Sequence, residues 1–190
     1  MGKKGEERKV IYIISAGDLP ASILEYAKRK LPVVFGLPVK VMYNGRLPEG
    51  SFHPMRNQYD AIPIIKETLR QMPDDAEKAL TITDVDLFIP CLTHIIGEAQ
   101  LGGKAGVVSA YRLKHGLAED EMFAKTMRRR VLKEVIHELG HTFGLTHCKD
   151  FLCPMSVSAD GAGVDRKGIS LCRSCRFLLE MSDRDVKITS

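Results

Sequence analysis

The eleven residues from His137 to His147, HELGHTFGLTH, constrain the chain more than any other stretch. His141 follows His137 by four positions, so on a helix of 3.6 residues per turn the two imidazoles stand about 40° apart on one face. They can grip one metal ion only if the segment is helical. Gly144 then lets the chain leave the helix and bring His147 round to the same point. Three nitrogen ligands leave one tetrahedral position for water, the arrangement of a catalytic rather than a structural zinc.

Glu138 lies about 60° beyond His141 on the circumference, toward the apolar stripe of Ala124, Met127, Val131, Val135 and Leu139. A carboxylate at the edge of the buried face, beside the metal face, is the expected general base for peptide hydrolysis. Burial raises its pKa and a neighbouring zinc lowers it.

Cysteine usage points to a second metal. Of five cysteines, Cys148, Cys153, Cys172 and Cys175 crowd into the last quarter of the chain. Their spacing is that of a closed four-thiolate zinc site, and it would pin the loop that bears His147. A redox pair at Cys172 and Cys175 is the competing reading. Cys91 is expected to be a small buried apolar residue in its strand. The odd count, and a charged start (MGKKGEERKV) without the apolar core of an export signal, argue for reduced thiols and a cytoplasmic setting. Glu6 stands where a myristoylation signal needs Ser or Thr.

The 190 residues suffice for one domain with a real core. No apolar run approaches a membrane span. The net charge of +4 is mild, and no aromatics interleave Arg128, Arg129 and Arg130, which read as a solvated helix segment, so nucleic acid is not an expected partner. Strands are expected at Val10–Ser15, Pro38–Tyr43, Val85–Leu92 and Ala105–Leu113, with Pro90 forcing an edge or an early stop. Helices are expected at Pro20–Lys30 (capped by Asp18 and ended before Pro32), Asp60–Gln71, Glu119 to about Gly140, and around Cys172–Met181. Asn44–Asn57 reads as a loop, and His53, His94 and His115 as surface or locally bonded residues. The fold class is α/β or α+β, with a mixed sheet of about four strands. A single domain spans 1–190, divisible into an N-terminal part, 1–144, and a zinc-stapled C-terminal part, 145–190.

The pattern from His137 through Gly144 to His147 resembles the metzincin motif. With Cys148, then Cys153-Pro154-Met155, then Cys172 and Cys175, the chain resembles the archaemetzincins, small zinc metallopeptidases. That resemblance implies a metzincin-like fold with a twisted mixed sheet, a backing helix and an active-site helix beneath the cleft. It implies that Met155 forms the turn under the zinc. It also implies that Ala105, Gly106, Val107, Val108 and Ser109 lie on the edge strand that pairs with an extended substrate. No tyrosine follows Met155, so transition-state stabilisation rests on the zinc, Glu138 and strand backbone groups.

The expected protein is a monomeric zinc metallopeptidase acting on peptides or proteins, with two zinc ions per chain. The alternatives are a zinc-stabilised peptide-binding or regulatory protein with little turnover, and a nucleic-acid-binding zinc finger. Intact Glu138 favours the enzyme, because a pure binder needs no general base.

Overall fold

The structure is a computed structural model that describes residues 9–43 and 45–188, with side chains described as far as Ser182. The expectations on residues 1–8, and on Asn44 at the start of the anticipated loop, lie outside the described residues. The fold is a mixed α/β arrangement of two sheets. The larger sheet joins β1 (Val10–Ala16), β2 (Val39–Met42), β5 (Ala76–Thr83), β8 (Gly97–Ala99) and β9 (Ala105–Ser109) in the order β2-β1-β5-β9-β8. All neighbours in it are parallel except β8 with β9. The smaller sheet runs β3-β4-β6-β7, from β3 (Phe52–His53), β4 (Gln58–Asp60), β6 (Leu87–Ile89) and β7 (Leu92–Ile95).

Side-chain alternation divides the packing into layers. Val108 joins the large core cluster with Ile23 and Leu24 of α1 (Ala21–Phe35) and Val131 and Val135 of α3 (Phe123–Thr142). Its neighbour Val107 joins Ile64 and Ile65 of α2 (Ala61–Arg70) on the opposite face. The large cluster continues through Leu145, Met155, Val164 of α4 (Gly161–Arg166) and Leu179 of α5 (Arg173–Ile188), so the chain after Gly144 shares the core of the chain before it.

Several sequence expectations are corrected. The larger sheet has five strands, close to the expected four, but Val85–Leu92 contributes to the smaller sheet instead, and two of the five, β5 and β8, were not anticipated. Consequently β9 is not an edge: Ala105, Gly106, Val107, Val108 and Ser109 are all buried between β5 and β8, and β8 holds the edge. The strand ends at Ser109, and a 3-10 turn at Arg112–Lys114 replaces its expected continuation. The run Val85–Leu92 splits at Pro90 and Cys91 into β6 and β7, which leaves Cys91 exposed in the turn.

Helix α1 passes through Pro32 to Phe35 and has no side-chain cap, so Asp18 does not cap it. Burial of Leu31 and of Phe35, stacked on Phe143 at 5.1 Å, holds the last turn despite the lost donor. Asp60 does cap α2, accepting from the Ile62 amide. The Asn44–Asn57 loop contains a 3-10 turn, Glu49–Ser51, and β3. Finally, Arg130 is not solvated. It is buried, donating from Nε and Nη2 to Asp165 at 2.9 and 2.6 Å and from Nη1 to the Leu113 carbonyl.

Candidate active site and metal centres

Helix α3 carries the site because packing holds it on every side. Its core-facing residues from Met127 to Leu139 are buried against the sheet. Lys78 of β5 donates from Nζ to the Thr142 carbonyl (2.7 Å), satisfying an acceptor that the helix end leaves free. Lys133 donates to the carbonyls of Val164 and Asp165, both at 2.9 Å, and ties α3 to α4. After Thr142 the chain turns at Gly144, whose φ of +86° suits glycine, and the Leu145 amide bonds back to the Gly140 carbonyl.

This turn brings His137, His141 and His147 together, with one ring nitrogen from each within 4.8 Å of the others. Nδ1 of His137 bonds the Pro154 carbonyl (2.8 Å) and Nδ1 of His141 the Leu145 carbonyl (2.7 Å). Their Nε2 atoms face each other at 3.1 Å. A tetrahedral zinc with bonds of 2.0–2.1 Å holds its nitrogens about 3.3 Å apart, so these imidazoles fit zinc. The Nδ1 bonds to backbone carbonyls are the usual outer support of metal-ligating histidines. Burial first, and then the Lys167 ammonium, push His137 down to about 3. Burial also lowers His141. Both rings are therefore neutral at pH 7, as ligation requires.

Met155 is wholly buried beneath the helix, with its sulfur packed against Gly140. The Cys148 amide donates to the Met155 carbonyl at 2.9 Å, which joins the His147 loop to this turn. The second cluster begins there. The sulfurs of Cys148, Cys153, Cys172 and Cys175 all lie within 4.8 Å of one another, and Cys148 and Cys172 are 3.7 Å apart. Zinc–sulfur bonds of 2.3 Å in a tetrahedron place sulfurs about 3.8 Å apart, so the thiols fit a closed site. Amides of Asp150 and Cys172 donate to the sulfurs of Cys148 and Cys153. Burial pushes the Cys153 and Cys175 thiols up, while the Cys175 amide lowers Cys172.

A cleft of about 550 Å³ opens over the histidines, lined by α3, β8 and the chain after Met155. Glu138 forms part of it and is 5% exposed, more deeply set than its expected place at the rim of the buried face. Burial raises its carboxyl well above the usual range, and the carboxylates of Glu134 and Glu98 act in the same direction. Glu134, one turn before Glu138, is neutralised by the buried Lys167 at 2.9 Å.

The sequence reading missed β8, Glu134 and Lys167. Glu134 was detectable, since it precedes Glu138 by four positions and so shares its face. The backbone of β8 was also missed as the open edge. Ser109 N bonds Ile96 O and Gln100 N bonds Ala105 O, so by alternation Gly97 and Ala99 turn their N–H and C=O groups away from β9.

The family model described as Peptidase family M54 matches residues 9–181. The chain belongs to peptidase family M54. Its relatives include the archaemetzincin of Haloquadratum walsbyi, 38% identical over 177 residues, which span 90% of this chain and 99% of the relative. The crystal structure of archaemetzincin from Methanopyrus kandleri is similar with a TM-score of 0.82 at 34% identity, covering 96% of this chain and 99% of that one. That of archaemetzincin from Archaeoglobus fulgidus, complexed with malonate, gives 0.75 at 31% identity over 89% of this chain and 99% of that one. As an M54 member the chain is a zinc metallopeptidase with an archaemetzincin fold. No described helix is long and apolar enough to cross a membrane.

Proposed function

We propose that His137, His141 and His147 hold the catalytic zinc, that Glu138 is the general base, and that Cys148, Cys153, Cys172 and Cys175 hold a second, structural zinc. The observation that carries this reading is the convergence of three imidazoles beside a buried carboxylate at an open strand edge. When bound, zinc supplies Lewis acidity, which acidifies water and polarises a carbonyl.

The chain's own residues do the rest. An extended peptide pairs with the free N–H and C=O groups of Gly97 and Ala99, which sets the scissile carbonyl over the histidines. Those strand groups replace the role first expected of residues 105–109. Glu138 accepts the proton of the attacking water and hands it to the leaving amine. Residues 157–159 line the same cleft as β8.

Residues 145–190 thus act as a C-terminal part that supplies His147, the Met155 turn and the thiolate cluster. Unpaired thiols suit a reducing, cytoplasmic setting. Binding without turnover is the weaker reading, because a receptor has no use for Glu138 beside the imidazoles.

The test is cleavage of a peptide mixture by zinc-loaded protein, read by mass spectrometry. Cleavage that stops with a chelator and returns with zinc supports the proposal. No cleavage with zinc confirmed bound refutes it.

A further inference from the structure

Glu98 is the only charged side chain of β8 and is half-buried in the wall of the cleft. Of the other two acidic groups that line the cleft, Glu134 is paired with Lys167, and Glu138 lies beside the imidazoles with no ion pair among the described residues. The Glu98 side chain has no hydrogen bond and no ion pair among the described residues. No lysine or arginine is among the residues that line the cleft. A carboxylate partly removed from water without a cation is costly to keep, and burial alone pushes its carboxyl up.

Strand geometry shows what would reach it. Gly97 is in register with Val108 and lies on the face of Glu138; Glu98 is in register with Val107 and lies on the other face. Zinc on the three imidazoles would add positive charge on the Glu138 side, so Glu98 is not its direct counter-ion. A strand paired with the open edge places each of its side chains on the same face as its cross-strand neighbour, about 5 Å away at Cβ. The substrate residue opposite Glu98 therefore sets its side chain beside this carboxylate.

We propose that Glu98 is a specificity-determining residue that selects a cationic group, a Lys or Arg side chain or a free α-amino group, on the substrate residue paired across from it. This rests on the reading that substrate pairs with β8. An ammonium or guanidinium there makes a charge-assisted hydrogen bond in a partly desolvated wall.

The experiment uses hydrolysis-resistant peptides that carry Lys, Arg or Gln at each position in turn. One set is Nα-acetylated and one has a free amine. Binding to zinc-loaded protein is measured by calorimetry, and kcat/KM is measured on the cleavable counterparts. At one position the cationic peptides should bind about tenfold more tightly than the Gln peptide, the size of one charge-assisted hydrogen bond. Gain in the acetylated Lys and Arg set assigns the side chain; gain confined to the free-amine set assigns the α-amino group. Glu98→Gln should abolish the preference and Glu98→Lys should reverse it toward Glu peptides. Equal binding of Lys, Gln and free-amine peptides to the wild type, or a preference that survives Glu98→Gln, overturns the proposal. The wild-type comparison alone decides this if a variant does not fold. If peptides bind with the preference and none is cleaved, the peptidase reading fails while Glu98 keeps its role.

Discussion

Gly97 faces Glu138 so closely that a Cβ added to Gly97 would lie 2.6 Å from Oε1 and 2.7 Å from Cγ of Glu138. The open edge strand β8 and the carboxylate proposed as general base are thus in direct contact. Glycine leaves room for both.

Gly97→Ala should therefore push Glu138 out of place without touching a histidine. Misplacement of a catalytic group by about 1 Å can cost about 100-fold in rate. The expected result is a fall of that order in kcat/KM at unchanged zinc content. Unchanged activity would show that Glu138 moves freely.

The clustering of the imidazoles was legible because its geometry is local. His137, Glu138 and His141 share one helical turn, and Gly144 and His147 complete it within six residues. The edge strand was not legible. β5 begins with Ala76, Glu77 and Lys78 and is mostly buried on both faces, so it shows no clean alternation. β9 was placed at the edge by the family resemblance, and β8, which covers its outer side, went unseen. β8 is only Gly-Glu-Ala, three residues with no strand signal of their own. Arg130 looked solvated because its partner, Asp165, lies 35 positions away.

The imidazole and thiol clusters, the two proposed zinc sites, are linked through the Cys148 amide and the Met155 carbonyl but share no residue. Cys172→Ser should remove one zinc and sharply lower the melting temperature, since a structural zinc contributes on the order of 10–16 kcal/mol of apparent binding energy. His147→Ala should weaken zinc only at the imidazoles and leave the thiolate zinc and the fold. Zinc analysis beside thermal unfolding separates these outcomes. Loss of both metals in His147→Ala would contradict the account.

Asp86 ties the smaller sheet to the end of β9. It accepts from Arg112 Nε and Nη2 at 2.6 and 2.7 Å and from Gln58 Nε2 at 3.0 Å. Burial pushes its carboxyl up, but these donors outweigh burial and hold it below the ordinary carboxylate value. Such a group contributes stability that is full above the unfolded pKa of about 4 and is lost as pH falls through the lower folded value. Asp86→Asn should cost about 1–3 kcal/mol at pH 7, and the deficit should shrink below pH 4. Urea unfolding of both proteins at pH 7 and pH 3 measures this.

If Glu138 moves the proton in peptide hydrolysis at a zinc held by His137, His141 and His147, removing its charge must cost rate and spare the metal. The direct test compares wild type with Glu138→Gln, both with zinc content measured, on one peptide that the wild type cleaves. Equal zinc, an intact fold and a rate lower by about 10²–10⁴-fold are expected of Glu138→Gln. Undiminished cleavage by Glu138→Gln at equal zinc would contradict that role for Glu138.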